Sequence, residues 1–422
     1  MPLVVASLVL AATVGLAACG DDGGGGGGET LNLTIGDIVP LTGDLSDYGP
    51  SGRKAADLAV DQINAAAKEA GADHTVKVVH EDDQTDPQAA VQAARKVVGS
   101  DNASCIAGGY SSTSSTIPIA RSVTIREGVL ELSPASTADE ISGIKDDGLL
   151  NRTSPPDRFQ GPTLAGLVEE SLGGAQGKTI NIAARNDAYG TGLADTFTKP
   201  WEEKGGQIGE RVEYDPEQPS YNSEAQQIVR GNPDGWVIID FPETYAKVGP
   251  ALVRTGKWDP KKSFITDGLA SGQLPKDSGR DATEGMRGTA PGSPDSGEAA
   301  QAFDKAYEAA GGPDRQTFDA QNFDAVVLCY LAAVAAGSTD GKDMAAELQN
   351  VSGPGGDKYT FEQLSEAIDA LQNGDDIDYE GASGPLDLNE DGDPTSGVYD
   401  IYRYKGGKLE VFDELPVEEP QA

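Results

Sequence analysis

Histidine and cysteine are scarce in this 422-residue chain: two histidines, His74 and His80, and three cysteines, Cys19, Cys105 and Cys329. That leaves too little material for a Cys/His zinc site or for a thiol nucleophile with a histidine base. Basic side chains are also few, 32 Lys and Arg against 69 Asp and Glu, a formal net charge of −37. The balance excludes nucleic acid as a partner, because binding it requires cations that displace counterions from phosphates. No dinucleotide-type glycine turn between a strand and a helix, no Gly-x-x-x-x-Gly-Lys-Ser/Thr loop and no Gly-x-Ser-x-Gly elbow occurs. No cofactor and no metal are expected.

What is present begins with Leu3 to Ala18, an almost wholly apolar run shorter than the roughly 20 residues a membrane span needs. It ends in Leu16-Ala17-Ala18-Cys19 and is followed by two aspartates and six glycines, although no Lys or Arg precedes it. Residues 1–18 read as a lipoprotein signal peptide, Cys19 as the lipidated residue and 19–29 as a Gly-rich tether. The protein is expected outside the cytoplasm, lipid-anchored to the cell membrane. Cys105 and Cys329 each lie in an apolar run, far apart in sequence, and read as two buried free thiols rather than a disulfide.

From Leu31 onward, strand-like and helix-like segments alternate. Leu31, Leu33 and Ile35 alternate as a strand, and Ala55, Leu58, Ala59, Ile63, Ala66 and Ala70 recur at helical spacing. Further strands are expected at Thr75 to His80, Ser104 to Gly108 and Val129 to Leu132. A second series follows at Thr179 to Ala184, Trp236 to Asp240 and Ser263 to Thr266. Such alternation predicts α/β architecture with parallel sheets and helices on both faces. Near the end, Gly384 to Asp387, a turn around Gly392, and Val398 to Tyr404 read as a β-hairpin before an acidic tail at 413–422. Ligands of open parallel sheets bind at the loops leaving the strands' carboxyl ends. Here those loops are 40–43, 110–115, 133–137, 186–190, 241–243 and 266–268.

The motifs on these loops, in order, resemble the type I periplasmic binding proteins of the leucine/isoleucine/valine class. They are Pro40-Leu41-Thr42-Gly43 with Tyr48-Gly49; Asp82-Asp83 to Asp86-Pro87; Gly109 to Ser115; Leu132 to Thr137; Arg152-Thr153 with Gln160-Gly161; Asp187 to Gly192; Ala282 to Met286; and Ser383-Gly384-Pro385. The resemblance implies two Rossmann-like lobes joined by three hinge crossovers near Asn151, Ala290 and Ser396. Lobe 1 is then 30–151 plus 291–396, and lobe 2 is 152–290 plus 397–412. It also implies a carboxylate site at Ser112, with Thr113 as its neighbour, and at Ser136 and Thr137. Asp267 is the implied partner of a ligand ammonium, and Tyr48, Tyr189, Phe241 and Phe318 the implied aromatic pocket, with ordinary core as the competing role for Phe318. A disulfide of some relatives is missing, since Gln84 and Ser111 stand near its position.

Two other constellations compete. Asp387 to Asp393 has the alternating oxygen ligands and glycine of an EF-hand calcium loop, but Val398 stands where a bidentate Glu is required, so the stretch reads as a solvated hairpin turn. The serines at 111–115 suggest a surface esterase, for which His80 is the only histidine at a strand end, in a solvated or capping role. The reading adopted is a monomeric, non-enzymatic substrate-binding receptor of an ABC importer that captures a small amino acid, a branched-chain one, and delivers it to a permease and its ATPase. Rival ligands on the same scaffold are amides, urea and aromatic acids, and a sensing receptor is the other alternative.

Overall fold

The computed structural model describes residues 30–107 and 111–419. Cys19, the signal peptide and the tether lie outside the described residues, as do Gly109 and Tyr110. Ten strands precede residue 300: β1 (Leu31–Val39), β2 (His74–Asp82), β3 (Cys105–Ala107), β4 (Leu130–Ser133), β5 (Leu150–Arg152), β6 (Thr179–Arg185), β7 (Gln207–Tyr214), β8 (Gly235–Ile239), β9 (Ser263–Ile265) and β10 (Arg287–Pro291). Five follow: β11 (Asp357–Tyr359), β12 (Ile377–Gly381), β13 (Gly384–Pro385), β14 (Ser396–Lys405) and β15 (Lys408–Glu418).

The first sheet has the order β2-β1-β3-β4-β5 and is parallel throughout. The second has the order β15-β14-β10-β9-β8-β6-β7; β6 to β10 run parallel, β14 is antiparallel to β10, and β15 is antiparallel to β14. Central strands such as β8, Gly-Trp-Val-Ile-Ile, are buried on both faces, which is why they read as continuous apolar runs. Helix Asp319–Ala336 is apolar almost all round because it is buried almost all round, lying in the core of the first lobe against β1, β3, β4 and helix Gly49–Ala70. The chain passes between the sheets three times: after Arg152, after Pro291 and before Ser396.

Four expectations are corrected. Cys105, at the start of β3, and Cys329, inside helix Asp319–Ala336, form a disulfide with their Cα atoms 6.3 Å apart. Their separation of 224 residues concealed that this helix lies on the face of the sheet holding Cys105. Gly384–Pro385 pairs with β12, and the hairpin is instead β14–β15. Its turn is Gly406-Gly407, both at positive φ, the pair of left-handed residues that a two-residue hairpin loop requires. The residues from Asp413 to Glu418 are therefore the edge strand of the second sheet and no tail. Finally, the 387–393 loop is no solvated turn. Asp393 is fully buried and pairs with Arg152 Nε at 2.7 Å and Arg158 Nη1 at 2.7 Å. These pairs pin the third crossover to the first.

Candidate functional site

The loops at the carboxyl ends of both sheets converge on an enclosed pocket of about 20 Å³. It is lined by Leu45, Tyr48, Ser112, Thr113, Ala135, Tyr189, Phe241, Asp267, Gly268 and Phe318. Seven of the nine residues expected at a ligand are thus brought together. Ser136 and Thr137 are buried next to the lining residue Ala135.

On the first lobe, β3 leads into helix Thr113–Ile119 with Ser112 extended (φ −60°, ψ 155°) at its start. The Ser112 and Ser114 hydroxyls lie 3.0 Å apart. Ser136 Oγ donates to the Ser111 carbonyl at 2.7 Å and lies 2.8 Å from Thr116 Oγ1. It thereby fixes the serine loop against β4. Ser111 Oγ in turn donates to the buried Asp83 carboxylate at 3.0 Å, a tie at the place where the disulfide of some relatives is missing. Arg152 sits behind this wall with its guanidinium donating to the Ser136 and Ala138 carbonyls at 3.2 and 3.0 Å. The same side chain that pins the crossovers therefore sets the position of the serine and threonine loop.

On the second lobe, Tyr189 opens helix Ala188–Glu203 and stacks on Phe241, ring centroids 5.0 Å apart. The Arg185 guanidinium covers Phe241 at 3.8 Å. Tyr189 Oη donates to Asp267 Oδ1 at 3.1 Å and accepts from Gly268 N–H at 3.2 Å. Gly268 is required here: a Cβ would stand 2.6 Å from the Asp240 carbonyl and 2.9 Å from Tyr189 Oη. Burial raises the Asp267 pKa to about 6, against the opposing hydrogen bonds of Gln160 and Tyr189. Bonds cross between the lobes at the rim. Tyr48 Oη lies 3.3 and 3.2 Å from the carbonyls of Asp267 and Gly268, Asp44 meets Arg185 at 3.1 Å and Thr244 at 2.9 Å, and Ser271 donates to Asp47.

Sequence reasoning missed Asp157. It is the first residue of helix Asp157–Leu172, fully buried, and neither carboxylate oxygen has a well-formed hydrogen bond. Thr137 Oγ1, close by Asp157, and Gln160 Oε1 likewise have no well-formed hydrogen bond. Burial, reinforced by Asp267, pushes the Asp157 pKa well above its ordinary value. An acid in the first turn of a helix is so common that nothing in the sequence separated this one from a solvated terminus. Leu45 was also missed, whereas Ala135 and Gly268 lie on loops expected at the ligand but were not singled out. Neither histidine lines the pocket: His74 meets Tyr330, and His80, no solvated or capping residue, lies between Asp37 at 2.6 Å and Asp57 at 3.0 Å.

Two α/β lobes joined by three crossings, with hydroxyls, a carboxylate and aromatic faces enclosed between them, define a protein that holds a small solute. The chain belongs to the periplasmic binding protein family, whose description matches residues 32–399. It is 28% identical to Leu/Ile/Val-binding protein homolog 3 of Brucella melitensis, over 96% of this chain and 97% of that one. It is 28% identical to the leucine-, isoleucine-, valine-, threonine- and alanine-binding protein of Pseudomonas aeruginosa, over 74% of this chain and 80% of that one. In fold it is similar to the branched-chain amino acid transporter substrate-binding protein of Streptococcus pneumoniae, solved with isoleucine, at 20% identity and a TM-score of 0.74, covering 92% of this chain and 99% of that one. The family places the protein outside the cytoplasm and among solute-binding receptors.

Proposed function

We propose that this receptor captures a branched-chain amino acid between its lobes and hands it, unchanged, to an ABC permease and its ATPase, while anchored through a lipid on Cys19. The observation that carries the reading is the pairing, in one enclosed pocket, of hydroxyl groups on the first lobe with a buried carboxylate on the second. A zwitterion taken from water loses several kcal/mol of hydration per charge unless both ends are matched at once. Ser112 and Thr113 suit the α-carboxylate, and Asp267 the ammonium. Ser136 and Thr137 stand behind that carboxylate site, next to the lining residue Ala135. Leu45, Tyr189, Phe241 and Phe318 give the aliphatic side chain an apolar surround. A cavity of about 20 Å³ holds little more than one water, so a ligand of leucine's size enters only when the lobes part.

A serine esterase is disfavoured because no imidazole reaches the serine loop. The test is calorimetric titration with leucine, isoleucine, valine, N-acetyl-leucine and leucinamide. The three amino acids should bind and the acetylated compound should not. Asp267→Ala should weaken leucine by about 2 to 5 kcal/mol, as is usual when one member of a buried charge pair is lost. Preference for the amide over the free acid would transfer the reading to the amide-type ligand. Separately, Cys19→Ser should release the protein from membranes on fractionation; retention would defeat the anchor.

A further inference from the structure

Phe318 lines the enclosed pocket and also lines a second, open cavity of about 380 Å³ between the lobes on the crossover side. That cavity is bounded by Gly272, Ser293, Asp314, Arg315, Asp400 and Val411, among others, and no residue but Phe318 is common to the two linings. Phe318 thus stands where the two cavities meet. It is held by a backbone in the left-handed region, φ 71° and ψ −2°, immediately before helix Asp319–Ala336. A bulky side chain is disfavoured in that region and glycine is not. The position is fixed from both sides: Gln316 N–H donates to the Asp319 carboxylate at 2.7 Å, and Asn322 of the same helix donates to the Gly52 carbonyl at 2.8 Å, four residues beyond Tyr48.

We infer that Phe318 sets the length of ligand the receptor accepts, closing the apolar end of the pocket against a second compartment that would otherwise admit a longer side chain. The inference rests on the amino-acid reading above. An unstrained small residue would hold the same turn at less conformational cost, so the ring is present for its bulk. With it in place, side chains of leucine's size are contained. Linear chains of six carbons must displace the ring or splay the lobes. With it removed, the pocket and the 380 Å³ compartment become continuous and the terminal carbons of such a chain pass through.

The experiment is calorimetry of leucine and of 2-aminooctanoate, whose side chain is a linear six-carbon chain, with the wild type, Phe318→Gly and Phe318→Ala. The wild type should bind 2-aminooctanoate at least tenfold more weakly than leucine. In both variants the ratio should shift toward the longer compound by at least tenfold, and Phe318→Gly should keep a cooperative unfolding transition, with a midpoint lowered by the lost burial of the ring and no lower than that of Phe318→Ala, since glycine relieves the left-handed backbone. Leucine binding with an unchanged ratio in both variants overturns the inference and leaves the receptor reading standing. Loss of the cooperative unfolding transition in Phe318→Gly also overturns it, because the ring would then be core. Absence of binding by any amino acid to the wild type sinks the receptor reading and this inference together.

Discussion

Lowering the pH addresses the ammonium contact without changing a single atom of the lobes. Burial raises the Asp267 pKa from 3.8 to about 6, and only its ionised form attracts a ligand ammonium, which stays charged throughout the range. Burial, and then Asp267 itself, push the pKa of the neighbouring Asp157 upward, so the ionised form of Asp267 is the one that carries the charge. The apparent dissociation constant of leucine should therefore scale as one plus the ratio of protonated to ionised Asp267. That is a rise of about 1.1-fold at pH 7, about 2-fold at pH 6 and about 11-fold at pH 5, close to 1.4 kcal/mol over the last two units. Stability of the ligand-free protein should run the other way. A carboxyl whose folded pKa exceeds its unfolded value favours the fold most below about pH 4, and that contribution is lost as the pH rises through about 6. A shift of roughly two units makes it about 3 kcal/mol. Titration calorimetry at pH 7, 6 and 5, with thermal unfolding of the free protein at the same pH values, reads both slopes. Asp267→Asn should flatten the affinity slope and remove only its own share of the stability slope, the rest belonging to carboxyls such as Asp83, Asp240, Asp324 and Asp400, whose pKa values burial likewise raises. An affinity that stays level from pH 7 to pH 5 in the wild type refutes the argument, as does an Asn variant that keeps the affinity slope.

The disulfide closes a loop of 224 residues, for which the chain-entropy model gives about 5 kcal/mol, so Cys105→Ala with Cys329→Ala should lower the unfolding midpoint by roughly 10 °C. Alkylation of denatured, unreduced protein should modify neither cysteine, and labelling of both would restore the free-thiol reading. Arg152→Met leaves Asp393 buried with Arg158 as its one cation, beside the Ser142 hydroxyl, and should cost about 3 kcal/mol in denaturant titration. Adding Asp393→Leu to it should recover part of the loss, and an Arg152→Met variant as stable as the wild type would show the pair to be dispensable.

Strand and helix alternation was legible because each element carries its own period. The buried run of β8 and the three-and-four spacing of helix Gly49–Ala70 are local signals that need no tertiary knowledge. Most of the pocket could be located for a related reason: Ser112, Tyr189 and Asp267 each follow a strand end, where topology brings loops together. What could not be read depends on contacts between distant segments. Cys105 meets Cys329 only because a late helix returns to the first sheet. Asp393 looks like one more surface acid among 69 until Arg152 and Arg158 enclose it. The Gly406-Gly407 turn was a local signal, overlooked because the acidic residues after it resemble a tail more than an edge strand. Asp157 is invisible for a further reason: its distinction is the lack of any well-formed bond, which no sequence pattern encodes.

The bonds that Asp44 makes with Arg185 and Thr244, and Asp47 with Ser271, across the rim have a consequence for how such a receptor is tuned. None of them requires a solute, so each adds to the weight of the shut arrangement before anything has entered. Measured affinity is the intrinsic affinity multiplied by the fraction of molecules competent to bind, so strengthening these contacts tightens binding of every solute by the same factor. Discrimination among solutes depends on the pocket lining alone. Sensitivity and selectivity are thereby assigned to separate sets of residues, and the concentration range over which the protein responds can drift through Asp44 or Asp47 without altering what it responds to.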